Sequence, residues 1–218
     1  TMLNAIAGVF QVDSGTITID GQDVTKLPEH KRAAFLGRVF QDPMMGTAPT
    51  MQIEENLALA ARRGQPRGLK WGITALERAD YRELLKTLDL GLEDRLTAKV
   101  GLLSGGQRQA LTLLMASLKQ PKLLLLDEHT AALDPKTADK VLALSDQIVQ
   151  ENNLTTLMIT HNMKDAIAHG NRLIMMDAGR VVVDISGEDK KKLTVPDLLA
   201  LFSRASGSDE ANDKMLLS

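Results

Sequence analysis

The stretch KLLLLDEHTAALD, residues 122–134, decides the fold class of this chain. Its four consecutive leucines predict a strand over 122–126 that is buried on both faces, as in the middle of a parallel sheet. Asp127 and Glu128 follow at the carboxyl end of that strand, where open α/β sheets bind their ligands. Because adjacent residues point in opposite directions, one carboxylate can hold Mg²⁺ through water while the other orients an attacking water. The alternative is a capping aspartate and a solvated glutamate after a core strand.

Strands and helices alternate on both sides of this stretch. Downstream, the periodicity predicts a helix near 135–151, a strand over 155–160, a helix over 162–169 and strands over 171–176 and 180–185. Strand, helix and strand in succession imply parallel pairing through right-handed crossovers. Upstream, the pattern predicts a hairpin turning at Asp20-Gly21, a strand over Leu36–Phe40, helices over 50–62, 74–90 and 105–118, and a polar loop over 62–72. The sequence therefore predicts an α/β fold.

Two more polar residues follow predicted strands of this sheet. His161 comes directly after LMIT, residues 157–160, and Gln41 comes directly after the strand that ends at Phe40. Because the carboxyl ends of parallel strands meet at one edge, we expect both side chains on the same ligand-binding edge as Asp127 and Glu128. A single histidine is more often a structural hydrogen-bonding group, so it is the placement of His161 that favours a functional role.

The stretch LLSGGQRQA, residues 102–110, predicts an anion site at a helix start. Ser104 can cap the helix, Gly105 and Gly106 leave the backbone bare, and Gln107 opens the first turn. Free N–H groups at a helix N-terminus attract negative charge, and these residues leave open which anion they hold. The alternative is an ordinary capped helix with glycines in the preceding turn.

Composition limits the classes of function. The chain has 218 residues, 44% hydrophobic and 25% charged, which suits one large domain with a substantial core. Its formal net charge of -2 argues against a general nucleic-acid binder, because no overall basic field would attract phosphate backbones. The absence of cysteine excludes disulfides and thiolate metal sites. No apolar run reaches the roughly 18–20 residues that span a bilayer.

Four motifs in this order resemble the nucleotide-binding subunit of an ATP-binding cassette (ABC) transporter. They are VFQDP (the Q-loop), LSGGQRQA (the signature motif), LLLLDEHTAALD (Walker B and the D-loop) and ITHN (the H-loop). The resemblance covers nearly the whole chain. It implies a P-loop NTPase-like parallel sheet core with an inserted α-helical subdomain and a small N-terminal antiparallel β portion. The single ABC ATPase domain, 1–218, would have its core at 1–42 and 119–185, the helical subdomain near 43–118, and a C-terminal helix and polar tail at 186–218.

The beginning of the chain, TMLNAIAG, resembles the residues that follow the Walker A lysine. Thr1 would match the second hydroxyl residue of that motif, which lies by the α-phosphate. The resemblance therefore implies that the glycine loop, the lysine and the Mg²⁺-binding hydroxyl precede Thr1 in the natural protein. A chain that starts at Thr1 is expected to bind ATP weakly and to be inactive by itself.

The resemblance also assigns roles to residues at the predicted edge. In this family two cassettes face each other head to tail and close on two ATP molecules, with Mg²⁺ in each site. Asp127 would hold Mg²⁺, partly through water, and Glu128 would polarise the attacking water. His161 would contact the γ-phosphate, and Gln41 would sense Mg²⁺ or the lytic water. Asp134 would couple the two sites across the dimer.

The signature motif is expected to act on the other subunit of that dimer. Ser104, Gly105, Gly106 and Gln107 would complete a site whose Walker A comes from the partner, with Gly106 small enough to admit the partner's γ-phosphate. His129 occupies a place where the family most often has proline, which makes it either a second titrating group or a neutral variant. The segment MMGTAPTMQIEEN, residues 44–56, is a candidate contact for a membrane subunit.

The implied partners are a second copy of the subunit, integral membrane permease subunits and an extracytoplasmic solute-binding protein, without nucleic acid. The implied place is cytoplasmic, peripheral on the inner face of the membrane. The implied function is to power solute uptake, and the stretch DEHTAALDPKTA resembles importers proposed to carry aromatic amino acids. The alternatives are an ABC ATPase that serves no transporter and a cassette that binds partners without hydrolysing ATP.

Overall fold

The computed structural model describes residues 1–65 and 72–206 of the chain. The predicted polar loop over 62–72 lies mostly outside the described residues, and so does the polar tail after residue 206. The chain divides into two units, Thr1–Ile159 and Thr160–Ser218, each of which is described by itself.

The first unit alternates helices with short strands. In chain order its elements are α1 (Met2–Ala7), β1 (Thr18–Ile19), β2 (Gln22–Asp23), α2 (Glu29–Arg32), β3 (Leu36–Val39), α3 (Ile53–Ala61), α4 (Ala75–Lys86), a 3₁₀ turn (Val100–Leu102), α5 (Gly105–Ser117), β4 (Leu123–Asp127), α6 (Pro135–Glu151) and β5 (Thr156–Ile159).

A parallel sheet with the order β3-β4-β5 forms the centre of this unit. The leucine-rich β4 is the middle strand, and Leu124, Leu125 and Leu126 are each at most 2% exposed. Its two faces pack differently: Leu125 lies in a cluster with Leu3 of α1, whereas Leu124 and Leu126 cluster with residues of α5 and α6. The prediction of a strand covered on both faces is therefore confirmed.

The N-terminal hairpin is confirmed as well. Strands β1 and β2 pair antiparallel across Asp20 and Gly21, whose φ angles are 51° and 76°. Two consecutive positive φ values are what a tight two-residue hairpin turn requires, and Asp-Gly supplies them at low cost. The buried Arg32 ties this region to α1, since its guanidinium donates hydrogen bonds to the carbonyls of Ala5 and Ile6 at 2.7 and 2.9 Å.

Helices α3, α4 and α5 build a second hydrophobic cluster in the first unit. Ile53, Leu57 and Leu85 are fully buried in it. A polar contact joins two of these helices, because the buried carboxylate of Glu54 accepts two hydrogen bonds from Arg78 at 2.6 and 2.8 Å. This cluster falls within the segment predicted to be helical.

The second unit contains α7 (Met163–Ala168), β6 (Arg172–Asp177), β7 (Arg180–Ser186), α8 (Gly187–Lys191) and α9 (Val195–Ser206). The expectation that β6 pairs parallel after a helix is wrong. Within the described residues β6 pairs only with β7, antiparallel, across Ala178 and Gly179 at φ 46° and 79°. Two left-handed residues favour the local hairpin over a crossover.

Within residues 1–65 and 72–206, no helix combines the length and the apolar character that crossing a membrane requires.

Candidate nucleotide-binding site

Asp127 ends β4 with its carboxylate beside a cation from the neighbouring strand. Nη2 of Arg38 lies 3.4 Å from Oδ2 of Asp127 and 2.6 Å from Oδ1 of Asn4 in α1. The same guanidinium stacks over the ring of Phe40 at 4.5 Å. Arg38 therefore joins three elements, α1, β3 and β4, at the edge where the sheet was expected to bind its ligand.

The donor set at this edge suits Mg²⁺ held by few protein ligands. Within the described ranges no group of three or more histidine, cysteine, aspartate or glutamate side chains could form a metal cage. Mg²⁺ usually keeps several waters and takes one or two carboxylates together with phosphate oxygens. The half-buried Asp127 fits that pattern, because its side chain is 34% exposed and, among the residues the structure describes, its carboxylate makes only a long ion pair to Arg38.

Glu128 occupies a strained backbone position. Its φ angle is 45°, in the left-handed region that disfavours residues with a side chain. Its N–H donates to the carbonyl of Ile159 in β5 at 2.9 Å, and its carbonyl accepts from the N–H of Ala131 at 3.0 Å. Hydrogen bonds on both sides hold the turn, and strain of this kind persists where the surroundings fix it, often at functional sites.

His129 points into the protein interior and is 2% exposed. Its Nε2 lies 2.9 Å from Oγ of Ser145 in α6, and that hydroxyl donates to the carbonyl of Val141 at 2.8 Å. The ring thus fixes the turn after Glu128 to α6.

Asp134 is the N-cap of α6. Its Oδ1 accepts a hydrogen bond from the N–H of Thr137 at 3.1 Å, and Pro135 fills the first helical position. Hydrogen bonds from the side chain and then the backbone of Thr137 hold the pKa of Asp134 below its ordinary value. The carboxylate is exposed, so it caps its own helix and still faces solvent.

The signature motif forms a complete capping box. Oγ of Ser104 accepts from the N–H of Gln107 at 3.3 Å, and Oε1 of Gln107 accepts from the N–H of Ser104 at 3.2 Å. The helix cap predicted at Ser104 is therefore present. Among the described residues, the N–H groups of Gly105 and Gly106 have no protein acceptor. The cap thus leaves two donors of the first turn available for an anion.

A contact within the chain that the sequence analysis missed brings the signature motif against the start of α6. A Cβ built on Gly106 would lie under 3.0 Å from Cγ2 of Thr137, nearer than real Cβ atoms come. A Cβ on Gly105 would lie 3.3 Å from Cδ2 of Leu133. A side chain at Gly106 would thus press against Thr137 of its own subunit, whatever Gly106 also does for the partner.

The remaining predicted residues lie at exposed positions. Gln41 comes two residues after the end of β3, and Thr1 is the N-cap of α1 without a side-chain cap bond. His161 is exposed in the second unit, two residues after β5 ends and just before the cap of α7. The structure therefore brings together Asp127, Glu128 and the ends of β3 and β5, and the roles of these residues stay predictions.

Known proteins resemble this chain over most of its length. The family model for ABC transporters matches residues 1–131. A tyrosine transport ATP-binding protein of Clostridioides difficile is 49% identical over 94% of this chain and 81% of its own length. The methionine import ATP-binding protein MetN of Rhizobium etli is 38% identical over 84% of this chain, which spans only 48% of that protein.

Solved structures give the same fold. The ATP-binding cassette MJ0796, a dimer in a post-hydrolysis state with ADP and Pi, is 29% identical with a TM-score of 0.69, over 85% of this chain and 78% of its own. The ADP conformation of the cassette MJ1267 has a TM-score of 0.71 at 23% identity, over 92% of this chain and 81% of its own. The expected P-loop NTPase-like fold is thereby confirmed.

Proposed function

This chain belongs to the ATP-binding subunits of ABC transporters, and we propose that it powers the uptake of an aromatic amino acid, with tyrosine as the first candidate. It is an ATPase of that family. The substrate proposal is supported by one observation, the 49% identity with a tyrosine transport ATP-binding protein. The methionine import protein MetN is only 38% identical, and this chain spans 48% of it.

In the proposed mechanism, Glu128 is the base that orients and polarises the attacking water. The strained turn between β4 and α6 is held by hydrogen bonds, so it would keep the carboxylate in one place while ATP is hydrolysed to ADP. Asp127 would hold Mg²⁺, which supplies charge neutralisation on the phosphate oxygens when bound. His161 would donate to the γ-phosphate, and Gln41 would report on Mg²⁺ or the attacking water. Catalysis would then rest on positioning and charge stabilisation.

The proposed active form is a head-to-tail dimer. The free N–H groups of Gly105 and Gly106, at the positive end of a 13-residue helix, would bind the γ-phosphate of the ATP held by the partner. The cassette MJ0796 is a dimer bound to ADP and Pi, which supports dimerisation. Asp134, exposed at the cap of α6, would face the other subunit.

The proposed membrane partner is a permease that docks beside Gln41 from the membrane. Met44 and Met45, 41% and 68% exposed, offer an adaptable apolar surface for it. The chain would then work at the cytoplasmic face of the membrane, with an extracytoplasmic solute-binding protein delivering the amino acid.

Uptake by reconstituted transporters tests the proposal. The natural full-length subunit, its permease and its binding protein are placed in vesicles, and ATP-driven uptake of radiolabelled tyrosine, phenylalanine, tryptophan and methionine is compared. We expect tyrosine or another aromatic amino acid to be taken up, and Glu128→Gln to abolish its uptake. Uptake of methionine alone, or of no amino acid by an active ATPase, would reject the proposed substrate class.

A further inference from the structure

Gln109 is a fully buried polar side chain that the mechanism above does not use. It lies in the second turn of α5, five residues after the cap Ser104, with an exposure of 0%. Its Nε2 donates a hydrogen bond to the carbonyl of Phe40 at 3.1 Å. Phe40 follows the last paired residue of β3 and directly precedes Gln41. One side chain thus joins the signature helix to the entry of the Q-loop.

The orientation of this amide follows from chemistry. A carbonyl oxygen only accepts hydrogen bonds, so the atom of Gln109 that faces Phe40 must be the nitrogen. That choice leaves Oε1 of Gln109 as a buried acceptor with no partner in the described structure. An unsatisfied buried polar atom costs free energy that an apolar side chain of similar size would avoid. The amide therefore lowers stability at this position relative to an apolar side chain, so its contact with Phe40 calls for a functional explanation.

Three further contacts hold the same segment. A Cβ built on Gly46 would lie under 3.0 Å from Cγ2 of Thr112, one turn after Gln109 on α5. The buried Asn56 of α3 brackets Ala48, accepting from its N–H at 2.8 Å and donating to its carbonyl at 3.1 Å. Nη1 of Arg108 in α5 also approaches Sδ of Met44 at 2.6 Å. Residues 40–48, here called the Q-segment, thus lie along α5 and α3 with contacts at four points.

Gln109 differs from the other three anchors in its place. It is the contact nearest to Gln41, so a shift that carries Phe40 with Gln41 must either stretch the bond from Gln109 or move α5. We propose that Gln109 is a positioning residue: it transmits displacement of the Q-segment by the permease to the signature motif at Ser104–Gly106. The inference rests on the permease coupling of the proposed function.

The unpaired Oε1 fits this role. Oε1 of Gln109 has no hydrogen-bond partner in the described structure. If the Q-segment shifts to a second arrangement, this oxygen can accept a hydrogen bond there while the side chain stays on α5. A coupling element needs two discrete arrangements that both sites bias. Gln109→Met keeps a long unbranched side chain and removes both polar atoms, so it preserves packing and abolishes the link.

The first measurement uses the natural full-length subunit alone. We expect Gln109→Met to speed hydrogen exchange at the amides of the Q-segment by about tenfold, the loss expected for one hydrogen bond. The matched control is Ser117→Ala on the same helix, whose buried hydroxyl donates within α5 to the carbonyl of Leu114. Unchanged exchange in the Q-segment of a folded Gln109→Met overturns the inference without involving the permease.

The second measurement uses the reconstituted transporter. Gln109→Met should keep basal ATP hydrolysis within about twofold while lowering its stimulation by transported substrate several-fold, since only the coupling is removed. Equal losses of basal and stimulated rates would mean a merely structural role and overturn the proposal. If Gln109→Met does not fold, Gln109→Leu, which also lacks both polar atoms, replaces it and should give the same split. A wild-type protein that aromatic amino acids do not stimulate rejects the proposed substrate, and the exchange result then decides the inference by itself.

Discussion

Replacing Gly106 by alanine probes the contact between the signature motif and α6. The added Cβ would lie under 3.0 Å from Cγ2 of Thr137, inside the 3.4–4 Å of ordinary contact. Gly106 is helical and its φ is not positive, so alanine meets no backbone strain and only the methyl group obstructs it. Overpacking of this kind costs about 1–3 kcal/mol, against which the better helix propensity of alanine returns up to about 1 kcal/mol.

A double-mutant cycle separates these two effects. Thr137→Ser removes Cγ2 and keeps the hydroxyl and N–H that bond to Asp134. The propensity gain of Gly106→Ala is present in both backgrounds and cancels, so the cycle reports the clash alone. Urea unfolding of the natural full-length subunit gives the change in unfolding free energy caused by Gly106→Ala in each background. We expect this change to be about 1–3 kcal/mol more favourable in the Thr137→Ser background than in the wild type. The matched control is Thr137→Val, which keeps the methyl group and loses the hydroxyl.

The same cycle distinguishes packing within a subunit from action between subunits. A coupling energy below about 0.5 kcal/mol, the scatter of independent sites, would refute the contact on which this reasoning depends. In the Thr137→Ser background, Gly106→Asp should then fold, bind ATP and still fail to dimerise, because its carboxylate repels the partner's γ-phosphate. Normal ATP-driven dimerisation of that variant would reject the intersubunit role of Gly106.

Three further changes test the site and its surroundings. Glu128→Gln should keep ATP binding, trap the dimer and lower turnover by about 10²–10⁴, and turnover within about tenfold of wild type would remove Glu128 from the role of base. Arg38→Met should lower the free energy of unfolding in urea by about 1 kcal/mol, because Asp127 and Asn4 lose a charged donor. The control Lys122→Met breaks an exposed ion pair with Asp20 and should change the free energy of unfolding little. Equal effects of the two substitutions would contradict the role of Arg38. The backbone N–H of Thr74, and then Arg62, lower the pKa of Glu77 to about 2 from 4.5. The wild type should therefore be more stable than Glu77→Gln above pH 4.5, and this difference should fade as the pH falls towards 2. A difference in stability that does not change with pH would refute the lowered pKa of Glu77.

The parts of the fold that the sequence predicted correctly are those set by local chemistry. The four leucines of β4 give a buried strand, and Asp20-Gly21 gives a hairpin turn because both residues tolerate positive φ. The cap at Ser104 follows equally from residue type. The misplaced β6 shows the limit of this reasoning: a helix before a strand favours parallel pairing, but the turn at 178–179 decided the partner.

The parts of the site that the sequence did not predict depend on contacts between distant elements. Arg38 lies opposite Leu125 in the parallel register, which places its guanidinium near Asp127, and no periodicity in the sequence fixes that register. The approach of Gly106 to Thr137 likewise depends on how α5 crosses α6. A usable signal did exist at Asp134, because aspartate followed by proline is a common helix start.

Helix α5 connects three of the motifs within one subunit. Gly106 packs on Thr137, which also bonds to the D-loop Asp134, and Gln109 bonds to Phe40 at the entry of the Q-loop. At Gly106 and at Gly46 a glycine packs directly against a threonine, so no flexible side chain lies between the two elements. A shift of α5 must therefore move α6 or the Q-segment as well. Binding of the partner's phosphate at Gly105–Gly106 and displacement of Gln41 by a permease would therefore bias the same packed element. That is the physical condition for coupling hydrolysis to transport, because both sites then act on one equilibrium.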